Sequence, residues 1–232
     1  MDVLMPRCCL VCGRELGSRE EHLCIRCAAD LPLTYYWEIP HNPMANQFNA
    51  LLERARPPGE AMEYVRAVAL LYYHHENPYK QIPRALKYGA NLSAGRYFAT
   101  RLGRYMTAFP SFTNVDTVIP VPLHWWRRYR RGYNQAQVLA AALAKELGAR
   151  LRTDILVRNG RTGSQTRLDA EARLRNVQGA FRVRKPCPGK HLLIVDDTFT
   201  TGATLSACYF ALRAVVGPNV RISIATLSVV QA

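Results

Sequence analysis

His191-Leu-Leu-Ile-Val-Asp-Asp-Thr-Phe-Thr-Thr-Gly-Ala-Thr-Leu205 decides the fold. An apolar run, Leu192–Val195, leads into two carboxylates, then into small hydroxylated residues and a glycine, then into a helical pattern over 204–216. Ligands of parallel sheets settle where a strand gives way to a helix. Thr200, Thr201, Gly202, Ala203 and Thr204 offer hydroxyls and backbone amides at a helix start, where unpaired N–H groups and the helix dipole favour a phosphate. Gly202 lets the backbone come close. The charges of Asp196 and Asp197 repel a phosphate but suit neighbouring sugar hydroxyls. The ordered set therefore reads as a site for a phosphorylated ribose. The competing reading is a strand end with two solvated aspartates and a threonine-rich cap. The Gly-Lys-Ser/Thr of a Walker loop and the Gly-x-Gly-x-x-Gly of a dinucleotide fingerprint are both missing.

Outward from this loop, strand-like runs alternate with helical ones. Strands are predicted over 64–73, 116–121, 179–183, 192–195 and 220–229, and helices over 78–88, 92–106, 134–147 and 204–216. Alternation of this kind implies an α/β fold with a mainly parallel sheet covered on both faces. Residues 30–58 mix prolines, aromatics and polar residues, and read as a connector with a short helix near 45–55.

Five of the seven cysteines fall in the first 27 residues, four of them as Cys9-Leu-Val-Cys12 and Cys24-Ile-Arg-Cys27 and the fifth as Cys8. Two such knuckles supply four thiolates to one tetrahedral ion, which leaves no open coordination position, so the expected role is a structural Zn2+. Cys8 offers a less usual register in place of Cys9, and a redox dithiol or unligated thiols are the other readings. The expected organisation is a zinc ribbon over 1–34, a connector over 35–63 and an α/β domain over 64–232.

Lysine and arginine outnumber aspartate and glutamate 31 to 17, a formal +14. That excess favours phosphates, nucleic acid or an anionic membrane as partners, or serves solubility alone. The longest charge-free stretch, Thr198–Leu212, is rich in threonine and small residues, so no transmembrane segment is expected; with no apolar leader at the start, the expectation is a cytoplasmic protein. Trp125-Trp-Arg-Arg-Tyr-Arg-Arg-Gly-Tyr133 interleaves aromatic rings with arginines. Trp125, Trp126, Arg127, Arg128 and Arg130 are the candidates for single-stranded nucleic acid, whose phosphates pair with arginine and whose bases stack on exposed rings. The alternatives are that the arginines grip pyrophosphate and that the tryptophans pack internally. Residues 158–178 carry five arginines against Asp169 and Glu171, and read as a flexible cationic lid over a polyanion or as a solvated loop.

These motifs, together with Leu86-Lys-Tyr-Gly89, Ile119-Pro-Val-Pro-Leu-His124, Arg131-Gly-Tyr-Asn-Gln135, Gln165-Thr-Arg-Leu168, Arg173-Leu-Arg-Asn-Val177 and Gly179-Ala-Phe181, resemble the type I phosphoribosyltransferases, and more closely the ComF family of competence-associated proteins. The resemblance implies a zinc ribbon ahead of a phosphoribosyltransferase domain. It implies that Asp196 and Asp197 hold the ribose of phosphoribosyl pyrophosphate, that Thr198–Thr204 hold its 5-phosphate, and that Val121, Pro122 and Leu123 form the pyrophosphate loop. Lys87 and Arg131 are the catalytic candidates, with Mg2+ arriving on the pyrophosphate. Two functions follow: a binding protein that handles single-stranded DNA together with DNA-uptake machinery in natural transformation, or an enzyme that transfers phosphoribosyl to a nucleobase.

Overall fold

The computed structural model describes residues 7–56, 62–89, 91–159 and 179–230. Five strands, β1 (Ala67–Tyr73), β2 (Thr117–Pro120), β3 (Arg150–Leu151), β6 (His191–Phe199) and β7 (Arg221–Val230), form one sheet in the order β1-β7-β6-β2-β3. All four of its pairings are parallel. Successive strand residues point to opposite faces, so unbroken burial over Leu192–Val195 and Ile222–Val229 means that both faces are covered. The mainly parallel α/β architecture expected from the sequence is therefore present.

The covering helices are α2 (Pro43–Ala55), α4 (Leu92–Thr107), α6 (Gln135–Glu146) and α7 (Ala203–Arg213). Shorter helices are α1 (Ile25–Ala29), α3 (Gln81–Tyr88) and α5 (Trp125–Arg131). On α4, Ala94, Phe98, Leu102 and Met106 are buried at helical spacing. Gly95 lets α3 come close to α4, because a Cβ there would stand 2.7 Å from Leu86 Cδ1.

Three regions depart from the expected pattern. The segment read as a connector supplies a 13-residue core helix, with Met44, Ala45, Phe48 and Leu52 buried and the Phe48 ring 6.2 Å from Phe199 and 6.3 Å from Tyr209. Asn42 caps that helix through Ala45 N at 2.9 Å and also donates to Ala67 O at 2.9 Å, so it joins the helix to β1. The strand predicted near 179–183 is β5 (Phe181–Val183), which pairs antiparallel with β4 (Leu156–Arg158) outside the main sheet. Residues 160–178 lie outside the described residues, and with them most of the expected lid and the segments 165–168 and 173–177.

The third departure is that β6 continues through the carboxylates to Phe199 instead of ending at Val195. Its pairing with β7 runs as far as Thr198↔Ser228 and Phe199↔Val229, so Asp196 and Asp197 sit on strand backbone. The turn into α7 then passes through Gly202, the N-cap, at φ +78°. A Cβ at Gly202 would lie 3.0 Å from two atoms of the Phe199 ring and 3.3 Å from Leu51 Cδ2. Both the left-handed backbone and the packing oppose any side chain there. Gly202→Ala is expected to lower stability by about 1–2 kcal/mol; urea denaturation checks this, and an unchanged midpoint would contradict the strained turn.

Candidate functional site

A cleft of about 260 Å³ opens where β2, β6, α3 and α6 meet. It is lined by Val121, Pro122 and Leu123 after β2, by Asp196, Asp197 and Thr204 from β6 and α7, and by Lys87, Tyr88, Arg131 and Arg158. Asn134, Gln135 and Ala136 complete the wall. The parallel pairing of β2 with β6 explains the meeting: Pro120 is opposite Val195, and Val121 N donates to Val195 O at 2.8 Å.

Lys87 closes the last turn of α3 and reaches the strand end. Its Nζ lies 3.2 Å from Asp197 Oδ1 and donates to Thr198 Oγ1 at 3.1 Å. The Thr198 and Ser228 hydroxyls are 3.2 Å apart, so Thr198 supports the lysine from the strand and is not part of the turn. Asp196 accepts from Asp197 N at 2.8 Å through Oδ1. Burial first and the neighbouring Asp197 second push the Asp196 carboxyl up to about 7, against the weaker opposing pull of Lys87 and Arg158. Among the described residues, the amides of Thr201, Gly202 and Thr204 have no protein acceptor. They are the unpaired donors of a helix start, available to an anion.

The segment Arg131–Gln135 frames the opposite wall, and each residue has a separate task. Arg131 lies over the Tyr88 ring at 5.5 Å. Gly132 ends α5 in the left-handed region at φ +77°. Tyr133 donates its hydroxyl to Leu86 O and so ties this wall to the residue before Lys87. Asn134 accepts from Ala136 N at 3.1 Å, capping α6, and donates to Val121 O at 3.0 Å. Gln135 is buried, and its Nε2 has no acceptor among the described residues. A buried amide donor beside the cleft suits a ligand oxygen. Tyr88, Asn134 and Gln135 fall in segments that carry the family resemblance, but their individual roles depend on contacts with distant segments.

The basic segment forms α5, capped by the His124 side chain on Trp126 N at 3.3 Å. Trp125, Trp126 and Tyr129 are 66%, 50% and 80% exposed, so these rings are available at the surface. Trp126 and Tyr129 stack with centroids 6.1 Å apart. Arg128 and Arg130 face solvent while Arg131 turns into the cleft; the side chain of Arg127 lies outside the described residues.

In the ribbon, the sulfurs of Cys9, Cys12, Cys24 and Cys27 all lie within 4.8 Å of one another, and Cys12 Sγ is 3.8 Å from Cys24 Sγ. A tetrahedron with metal–sulfur bonds of about 2.3 Å has edges of about 3.8 Å, so the four thiols fit a metal ion. Cys8 stays outside this group, exposed and in a bridge to Glu15. The ribbon is joined to the rest of the chain through Tyr79, whose hydroxyl donates to Cys27 O at 3.1 Å.

Relatives support the family likeness. The "DNA utilization protein YhgH" of Escherichia coli O6:H1 is 41% identical over 91 residues, 39% of this chain and 40% of that protein. "Competence protein F" of Haemophilus influenzae is 37% identical over 101 residues, 42% of this chain and 44% of that protein. The chain is similar to these proteins over that span. The ComF-like match spans less than half of each relative's length, and no known protein-family profile matches the chain. A hypoxanthine phosphoribosyltransferase of Staphylococcus aureus overlays with a TM-score of 0.37 at 16% identity, covering 59% of this chain and 63% of that one. The fold assignment rests on the strand order and not on that overlay. Among the described residues, no helix is long and apolar enough to cross a membrane.

The raised Asp196 carboxyl has a consequence for stability. Its folded pKa lies above its unfolded value, so the folded state holds an extra proton between about pH 4 and 7 and loses stability as pH rises through that window. Asp196→Asn removes this burden. Relative to wild type, the variant should be more stable at pH 8 than at pH 4, by urea denaturation at both; a difference independent of pH would refute burial as the cause.

Proposed function

We propose that this chain binds phosphoribosyl pyrophosphate in the cleft at the end of β6 and handles single-stranded DNA during its uptake. The observation that carries the reading is the convergence in one cleft of the Asp196–Asp197 pair, the unpaired amides of the α7 turn and the cations Lys87, Arg131 and Arg158. In this reading Asp196 and Asp197 accept from the ribose hydroxyls. The turn from Thr200 to Thr204 holds the 5-phosphate. Lys87, Arg131 and the amides of Val121–Leu123 face the pyrophosphate, where fixed positive charge is most effective away from bulk water. The Asp pair and the pyrophosphate oxygens suit Mg2+, which keeps several waters and needs no all-protein cage; it would add charge neutralisation on the pyrophosphate. The DNA part is supported by the exposed rings and arginines of α5, by the net charge of +14 and by relatives named for DNA utilization and competence. A cytoplasmic location fits such a role.

A second reading, turnover, is favoured by Asp196. A carboxyl held at about 7 beside a sugar site can take up a proton near neutral pH. One experiment addresses both. Calorimetric titration with phosphoribosyl pyrophosphate and Mg2+ should show saturable binding, weakened about tenfold or more in Asp196→Ala with Asp197→Ala, since hydrogen bonds to charged groups contribute about 1.5–3 kcal/mol each. Equal affinity in the double variant would remove the cleft from the reading. Pyrophosphate release with a nucleobase panel in the same mixtures would establish transfer; binding without release assigns a binding role.

The ribbon is read as a structural zinc site. Metal analysis of the purified protein should find zinc that is retained in Cys8→Ser and lost in Cys24→Ser. Zinc retained in Cys24→Ser would exclude the four-thiolate assignment.

A further inference from the structure

The helix that braces the sheet beside the ribbon has a second face. Ser93, Arg96, Tyr97, Thr100, Arg101, Arg104 and Tyr105 recur at steps of three and four along α4, opposite the buried Ala94, Phe98, Leu102 and Met106. These outward residues, with Glu21 of the ribbon, line a groove of about 650 Å³. A neighbouring depression of about 380 Å³ is lined by Arg96 again, by Tyr133 and Gln137, and by Arg128 of α5. Arg96 is thus common to both, and a track runs from α5 through Arg96 along α4 to Arg104, with the ribbon beside its Ser93–Tyr97 end.

We propose that this track carries the backbone of single-stranded DNA, so that α5 stacks the bases and α4 pairs the phosphates. The inference rests on the DNA part of the proposed function and extends it to a surface that α5 alone does not include. Charge complementarity selects the occupant. The track presents four arginines, Arg96, Arg101, Arg104 and Arg128, against Glu21 and against Glu146, whose Oε2 is 3.5 Å from the 74%-exposed Arg104 side chain. An exposed pair of this kind is weak and is readily exchanged for a phosphate. Arg101 is held in place by donating to Tyr105 Oη at 3.0 Å, with its guanidinium 5.8 Å from the ring.

The aromatic residues of the two helices are placed for different work. Tyr105 is stacked on Trp37 at 4.4 Å and 10°, and Tyr97 meets His22 edge-on at 5.3 Å, so the rings along α4 are already engaged. Those of α5 are exposed, with Trp126 and Tyr129 stacked on each other, and present open surface to unpaired bases. From Arg96 to Arg104 the helix rises about 12 Å, enough for on the order of three phosphates.

The test uses the full zinc-loaded chain and fluorescence anisotropy with labelled oligothymidylate of about 6 and about 20 nucleotides, across a salt series. Arg96→Ala, Arg101→Ala and Arg104→Ala combined should weaken binding of the long strand about tenfold or more and reduce the slope of log affinity against log salt by about 2, since each phosphate contact on a single strand contributes about 0.7. The short strand should lose much less. Trp125→Ala with Trp126→Ala should weaken both lengths with little change in slope. All three arginines lie on the solvent side of α4, and an unchanged melting temperature would show that the triple variant is folded. A triple variant with wild-type affinity and slope, alongside a weakened α5 variant, would overturn the track and leave the proposed function standing. Wild-type protein that binds no oligothymidylate would overturn the DNA reading itself. Tighter binding of oligouridylate or of duplex than of oligothymidylate would overturn single-stranded DNA as the occupant.

Discussion

Two adjacent carboxylates near the end of a buried strand repel each other and lose hydration, and a nearby cation offsets that cost. Lys87 is that cation. Its ammonium lies against Asp197 and Thr198, while Asp196 remains protonated to near neutrality. Removing charges from water costs several kcal/mol per ion unless a partner compensates. The cleft is therefore defined by a contact between α3 and β6 that joins residues 111 positions apart, Lys87 and Thr198. Much of the surrounding structure holds that contact in place. Tyr133 fixes the carbonyl before Lys87, Gly95 lets α3 settle on α4, and the pairing of β6 with β7 brings Ser228 beneath Thr198.

The two walls of the cleft have different mechanical origins. The β6–α7 wall is local: strand, turn and helix follow one another, and Gly202 permits the turn. The β2 wall is assembled from outside, because Val121 is held both by Val195 in the sheet and by Asn134, which simultaneously caps α6. A ligand that bridges the walls meets donors on each. The buried Gln135 amide, whose Nε2 has no acceptor among the described residues, lines the same cleft.

The surface follows the same economy. Helix α4 braces the sheet with one face and presents arginines on the other, and α5 is too short and too polar to contribute core. The positive charge of this chain is thus arranged and not merely abundant. The cysteine segment, too short to build its own core, gathers its four thiols in one cluster and is tied to the rest of the chain by Tyr79.

The sequence by itself determined the parts whose residues are consecutive. The order strand, carboxylates, hydroxylated turn and helix was legible because each element needs only its neighbours, and the cysteine knuckles were legible because spacing alone sets how thiols meet. The core role of α2 was obscured, since Asn46, Gln47 and Asn49 dilute the apolar stripe formed by Met44, Phe48 and Leu52. The apolar side of α4 was read, but its arginines look like an ordinary solvated face until α5 is placed beside them. Only the tertiary structure decided that β2 lies next to β6, that Lys87 reaches Asp197, and that Arg131 turns inward while Arg128 turns toward α4. The physical reason is that periodicity reports which face of an element is buried but not which element buries it. That choice is made by hydrogen-bond register and packing between segments far apart in the chain.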